Sequence, residues 1–264
     1  MFAHAWTDLR LVTAVTLAAA GFCLVAAGTY AFNDIVDREA DAREIRTCFR
    51  PVASGAVTVR TAAIFATVML LGGLAVGSLA SPTVLLLLFL YALLNVAYSL
   101  HLKRIVLVDV FIIATGFMIR ILAGTTGVGI PPSQWLVLCG MMIALFLGFA
   151  KRRAALNAVA DEEEPDSRAF NGYSPVLVDK MIVVTASGAI TTYSLYTMSP
   201  DAVRIHHTSG LIYTVPIVMF GIFRYMYLLH EKGSGGDTSR DITRDPAMVA
   251  TMVIWLIAVL WVIK

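Results

Sequence analysis

Charged side chains are scarce in this sequence. Asp, Glu, Lys and Arg make up 14% of its 264 residues, where a water-soluble domain carries about 25%. That shortage excludes a surface able to keep the whole chain in water. Cysteine is nearly absent as well. Of the three, Cys23 and Cys139 lie in apolar runs and Cys48 in a basic stretch, a scatter that excludes a disulfide framework and the paired spacing of a zinc site. No basic segment followed by a short apolar stretch and a cleavage site opens the chain, so no secretory leader is read there. The net charge of +2 says little, because the distribution of charges matters more than their sum; no nucleic-acid partner is expected.

Apolar residues are what the sequence has instead: 58% of the chain, with a mean hydropathy of +0.79. A hydrocarbon core of about 30 Å needs roughly 20 mostly apolar helical residues. Eight stretches qualify, at approximately 11–32, 60–80, 82–100, 105–124, 133–150, 176–198, 210–229 and 246–263. Their runs are continuously apolar rather than alternating, which predicts helices and not barrel strands. The fold class expected is therefore all-α, a multi-pass transmembrane helical bundle of about eight spans, with residues 1–264 forming a single transmembrane domain.

The polar connections divide by charge. Segments 33–60, 101–104, 151–175 and 230–245 hold 14 of the 20 Lys and Arg, whereas the connections at 81, 125–132 and 199–209 hold only Arg204. The positive-inside rule places the first set in the cytoplasm. Both ends of an eight-span chain would then lie outside, and the opening Met1–Asp8 reads like the tail of a loop between two spans. A preceding helix is expected to be missing.

The first apolar run leads into Asn33-Asp34-Ile35-Val36-Asp37-Arg38-Glu39-Ala40-Asp41. Asn33, Asp37 and Asp41 are four apart and share one face if the helix continues, with Asp34 beside them. Like charges at that spacing repel. A divalent cation removes the repulsion, and Mg²⁺ typically takes one or two carboxylates together with water and substrate phosphate. A solvated helix end is the plainer alternative.

This run, followed nine residues after Asp41 by Arg50-Pro51-Val52-Ala53-Ser54-Gly55, resembles the UbiA superfamily of intramembrane prenyltransferases. The resemblance implies nine helical spans, a Mg²⁺-diphosphate site at Asn33, Asp34, Asp37 and Asp41, and a next helix opened by the Arg-Pro-x-x-Ser-Gly segment. Members that prenylate aromatic rings carry a second aspartate pair after the span equivalent to 133–150. Here that position reads Lys151-Arg152-Arg153. The acids beyond it, Asp161 to Asp166, are spaced five apart around Pro165 and are expected to be a solvated loop.

The basic replacement, together with Tyr98-x-x-x-x-Lys103-x-x-x-x-x-Asp109, Arg120-x-x-Ala123-Gly124, Asn171-Gly172-Tyr173-Ser174 and Phe223-Arg224-Tyr225, is similar to the decaprenyl-phosphate phosphoribosyltransferase subgroup. That likeness implies transfer of 5-phosphoribose from phosphoribosyl pyrophosphate to a polyprenyl phosphate at a bacterial plasma membrane, toward a cell-wall precursor. Asp37 and Asp41 would be the catalytic carboxylates. Arg50, Tyr98, Lys103, Asp109, Lys151, Arg152 and Arg224 would bind substrate, with membrane lipid around them; a homo-oligomer is compatible with this reading.

Several of these residues have plainer roles open to them. Lys103, Arg104, Lys151 and Arg152 could serve the positive-inside rule alone. Asp109, inside a span, is a functional candidate by default and could orient Lys103 or Arg224. Arg120 is expected to snorkel to the interface. His206 and His207 lack metal-ligand partners, and the glycine run from Gly124 follows no strand and is no nucleotide fingerprint. The alternatives for the whole chain are an aromatic prenyltransferase of the same superfamily, which needs the second aspartate pair, and a transporter, which would show inverted repeats with broken helices.

Overall fold

The computed structural model describes residues 8–44, 47–160, 172–231 and 242–263. Among them no strand occurs. The principal α-helices are, in order, α1 (Leu9–Asp41), α2 (Val59–Ala80), α3 (Pro82–Leu100), α4 (Val108–Gly124), α5 (Gln134–Ala160), α6 (Pro175–Met198), the short α7 (Pro200–His206), α8 (Val215–Glu231) and α9 (Pro246–Ile263). Among the described residues three 3₁₀ turns intervene, at Leu102–Arg104, Thr126–Val128 and Gly210–Thr214.

Seven of the described helical segments are long and apolar enough to cross a membrane. The eighth expected span, 133–150, falls on α5, whose 27 residues give about 40 Å of helix. Large apolar side chains such as Phe65, Leu71, Phe89, Val184 and Ile257 are exposed on these helices, an arrangement that suits lipid and not water. The protein is an all-α, multi-pass membrane protein.

Helix starts follow local chemistry. Ser81-Pro82, Ser174-Pro175 and Ser199-Pro200 each place a hydroxyl that accepts a backbone N–H of the first turn ahead of a proline suited to the first helical position. Asp245-Pro246 does the same with a carboxylate, accepting from the Met248 N–H at 2.9 Å. Asp8 caps α1 and Thr58 caps α2.

The helices gather into two compact units, one ending at Pro132 and the other starting at Ser133. In the first, α1 lies backbone-close against α2. A Cβ on Gly73 would stand 2.8 Å from the Gly21 carbonyl oxygen and 2.7 Å from Val25 Cγ2, and one on Gly28 would meet the Ala66 carbonyl oxygen at 2.9 Å. Only residues without a side chain permit that approach. Phe22, Val25, Val84, Leu88 and Tyr91 fill the adjoining core, Phe22 and Tyr91 edge to face with ring centroids 5.2 Å apart. The Ser81 hydroxyl donates to the Gly127 carbonyl at 2.6 Å, tying the α2–α3 turn to the chain beyond α4. This packing makes α1 a rigid rod, with its polar residues carried at the far end.

In the second unit α5 and α6 pack together, Phe146 of α5 meets Tyr225 of α8 edge-on at 5.7 Å, and the Trp255 indole N–H donates to the Tyr193 hydroxyl at 3.0 Å.

Candidate active site

α1 runs without a break to Asp41. Its 33 residues span about 50 Å, longer than a hydrocarbon core of about 30 Å, so its last turns extend past the apolar layer. The four-residue spacing of Asn33, Asp37 and Asp41 is therefore a true helical face. Asp41 is buried, and Asn33, Asp34 and Asp37 are half-buried.

Each of the three aspartates on this stretch meets a basic side chain from elsewhere in the unit. Arg50 Nη1 donates to Asp41 Oδ2 at 2.9 Å and to Asp34 Oδ1 at 3.3 Å. The Lys103 ammonium donates to Asp37 Oδ1. Asn33 Oδ1 is buried and has no hydrogen-bond partner. Among the described residues no three His, Cys, Asp or Glu side chains converge as a metal-binding group. The donor set nevertheless suits a hard cation held by one or two carboxylates and an amide oxygen, with phosphate oxygens completing the shell. The unsatisfied Asn33 oxygen is the atom that fits such a role most directly, because a buried acceptor without a partner costs free energy.

Arg50 reaches α1 through a chain of turns. The Ser54 N–H donates to the Arg50 carbonyl at 2.9 Å, the Val57 N–H to the Pro51 carbonyl at 2.9 Å, and Gly55 has φ +77°, a value that favours glycine. The expectation that this segment opens the next helix is corrected: α2 starts at Val59, behind its Thr58 cap, and the Arg50–Gly55 stretch folds back instead. Lys103 sits on the 3₁₀ turn after α3. Three residues beyond that turn Leu107 has φ +69° and ψ −40°, a strained backbone for a side chain other than glycine.

The remaining expected site residues are placed variously. Tyr98 is half-buried near the end of α3. Asp109 is 1% exposed in the first turn of α4, where the helix dipole favours a carboxylate. Lys103 pairs with Asp37, and Arg224 with Asp245. Arg120 lies near three aromatic rings, 5.5 Å from the Phe117 centroid, 5.9 Å from Tyr91 and 6.0 Å from Phe22. It edges an apolar cavity of about 290 Å³ lined by α1 and α4.

In the second unit the three consecutive bases of α5 part company. Lys151 is exposed with no ion pair among the described residues, the Arg152 guanidinium lies 5.2 Å from the centroid of the buried Tyr173 ring, and Arg153 Nε donates to Asp179 of α6 at 2.8 Å. Arg153 also donates to Asn157, and Asp179 receives His230 of α8 at 3.1 Å. Arg224 forms a two-pronged pair with Asp245, at 3.1 and 2.7 Å. Gly172 has φ +76° and Ser174 caps α6, so those members of the Asn171–Ser174 motif turn the chain. Asn171 and the acids at 161–166 lie outside the described residues. His206 is buried, its Nε2 3.2 Å from the Tyr196 hydroxyl.

Sequence reasoning passed over Asp245, Asp179 and His230. For Asp245 the signal was present in the Asp-Pro dipeptide, a capping pattern. For the others no local pattern exists.

A sequence model described as the UbiA prenyltransferase family matches residues 1–242. The chain belongs to the UbiA prenyltransferase family. Similar curated relatives include the decaprenyl-phosphate phosphoribosyltransferase of Mycobacterium tuberculosis, 25% identical across 95% of this chain and 82% of the relative. The protein of that name from Corynebacterium glutamicum is 26% identical across 98% of this chain and 77% of its own length. Among solved structures, a UbiA homolog from Archaeoglobus fulgidus bound to GPP and Mg²⁺ matches with a TM-score of 0.69 at 14% identity, covering 94% of this chain and 86% of that one. That likeness establishes the UbiA fold.

Proposed function

We propose that this UbiA-family enzyme transfers 5-phosphoribose from phosphoribosyl pyrophosphate to a polyprenyl phosphate, releasing pyrophosphate, with the whole chain acting as a single functional domain. The observation that carries the reading is the likeness, along nearly the entire chain, to two decaprenyl-phosphate phosphoribosyltransferases. The charge pattern supports it. Where an aromatic prenyltransferase needs a second aspartate pair, α5 carries Lys151, Arg152 and Arg153, which suit a phosphate rather than a metal.

In this reading Asn33, Asp37 and Asp41 hold Mg²⁺, with Asp34 beside them. Magnesium, when bound, supplies charge neutralisation to the departing pyrophosphate. An oxygen of the lipid phosphate forms the new bond to the anomeric carbon as the bond from that carbon to pyrophosphate breaks, the pyrophosphate leaving with the electron pair. The nucleophile is already an anion, so no side chain has to remove a proton. Arg50 and Lys103 steady the pyrophosphate. Lys151 and Arg152 bind a second phosphate, through charge-assisted hydrogen bonds. The apolar cavity beside α1 and α4 has the chemistry to take part of a prenyl chain.

The donor is soluble and anionic, which calls for a site on the cytoplasmic face of a bacterial plasma membrane, and the basic connections support that side. The test is transfer of radiolabel from phosphoribosyl pyrophosphate into a lipid-extractable product in membranes holding the full chain. Transfer should require both polyprenyl phosphate and Mg²⁺. Prenylation of an aromatic acid from a prenyl diphosphate, with phosphoribosyl pyrophosphate ignored, would overturn the assignment.

A further inference from the structure

We propose that Arg50 and Lys103 are resident counter-cations that close the α1 carboxylates to a free divalent ion and release them only to a divalent ion arriving with a diphosphate. The proposal rests on the proposed function, in which this helix end takes a metal–diphosphate.

Asp34 and Asp41 share one guanidinium nitrogen, and Asp37 holds the Lys103 ammonium. A bare dication that takes these oxygens must crowd one of the basic groups or turn it out. It would then share a partly desolvated site with a displaced cation, and like charges disfavour that outcome. A metal–diphosphate complex changes the balance. Its phosphate oxygens accept Arg50 and Lys103 at the same moment as the metal takes the carboxylates, so no charge is left without a partner. Arginine is particularly suited to the exchange because its planar fork matches phosphate as well as carboxylate.

The architecture allows the exchange. The acids stand on α1, held by backbone-close packing on α2. Both cations come from connections: Arg50 from the turns ahead of α2, its side chain 41% exposed, and Lys103 from a three-residue 3₁₀ turn. The bases can swing while the acids stay. Asn33 Oδ1 is buried and unpartnered, an oxygen that the internal cations leave over.

Such an exchange makes metal and diphosphate affinities reciprocal. The probes are Mn²⁺ and inorganic pyrophosphate, both counted across a dialysis membrane against the purified full chain, so that the complex they form in solution is accounted for. In the unsubstituted protein pyrophosphate should tighten Mn²⁺ by about tenfold or more, within the range usual for coupled sites. Arg50→Gln should bind free Mn²⁺ more tightly, by roughly threefold or more, and lose most of the coupling. Arg50→Lys keeps the charge and should stay near the unsubstituted protein. Lys103→Gln, an independent probe should Arg50→Gln fail to fold, should also tighten free Mn²⁺. Equal Mn²⁺ affinity with and without pyrophosphate overturns the proposal and leaves the phosphoribosyltransferase reading standing. Weaker free-metal binding in Arg50→Gln or Lys103→Gln overturns it too. If the unsubstituted protein binds neither Mn²⁺ nor its pyrophosphate complex, the reading of the site fails first and the proposal falls with it.

Discussion

Arg50 and Asp41 are nine residues apart in sequence and joined at 2.9 Å in space, the chain between them leaving α1 and folding back through turns to meet its own last carboxylate. The same guanidinium nitrogen touches Asp34, two turns earlier on α1. Removing Asp41 therefore deletes a cation's partner as well as a candidate metal ligand. Asp37→Ala and Asp41→Ala are each expected to lower kcat/KM on the order of 100-fold or more, the scale of losing one preorganised electrostatic contact to a leaving group. Added Mg²⁺ should restore little. Asp161→Ala and Asp166→Ala should stay near the unsubstituted rate. A loop pair as essential as the helix pair would favour an aromatic prenyltransferase instead.

The close approach of α1 and α2 can be tested with neighbouring glycines. A Cβ at Gly73 meets Val25 and the Gly21 backbone below 3 Å, whereas one at Gly72 meets nothing within 4 Å. Gly73→Ala should destabilise the protein by about 1–3 kcal/mol, the usual cost of overpacking. Gly72→Ala should be neutral or slightly stabilising. Thermal unfolding in detergent distinguishes them, and equal melting temperatures would mean that the helices are not in backbone contact at Gly73.

The spans were legible because burial in lipid requires length and apolarity, which a hydropathy window reads directly. The caps were legible in kind, since Ser-Pro and Asp-Pro carry their own geometry. The continuation of α1 to Asp41 was visible only as a condition of the spacing argument. Partner choice was not legible at all. Arg224 and Asp245 are 21 residues apart, and Arg153 and Asp179 are 26 apart. Periodicity says which face a residue occupies and nothing about what another helix brings to it. Arg120 shows the same limit: its depth in α4 suggested snorkelling, while the rings around it come from α1 and α3 as well as its own helix.

The basic connections predict the membrane sidedness. An impermeant thiol reagent applied to intact cells should leave Cys48 unmodified, and lysis should expose it. Modification of Cys48 before lysis would invert the topology and with it the proposed cytoplasmic site.

Asp245 both caps α9 and grips Arg224. Arg224→Ala takes this guanidinium from a carboxylate that is 6% exposed, and should lower the melting temperature. Asp245→Ala loses the cap as well. In a double-mutant cycle the paired substitution should be less damaging than the two singles added together. If Arg224 instead binds substrate, its replacement would raise KM without lowering the melting temperature.

The three consecutive bases of α5 should separate by role. Lys151 is exposed and without an ion pair among the described residues, whereas Arg153 is fixed between Asp179 of α6 and Asn157 of its own helix. Lys151→Ala removes a cation that makes no ion pair among the described residues, so its melting temperature should not change. Its KM for one of the two phosphate substrates should rise about tenfold, the scale of one charge-assisted hydrogen bond. Lys103→Ala should raise KM in the same way. Arg153→Ala should do the reverse: it takes from Asp179 its guanidinium and leaves His230 on that carboxylate, lowers the melting temperature, and leaves KM unchanged when assayed well below the transition. The charge of residue 151 can be checked further with salt. Screening weakens an exposed cation's pull on an anion far more than a buried pair, so the KM difference between the unsubstituted chain and Lys151→Ala should shrink as ionic strength rises. A Lys151→Ala protein with unchanged KM for both phosphate substrates would remove this lysine from the substrate site and leave it the lesser task of marking the cytoplasmic side.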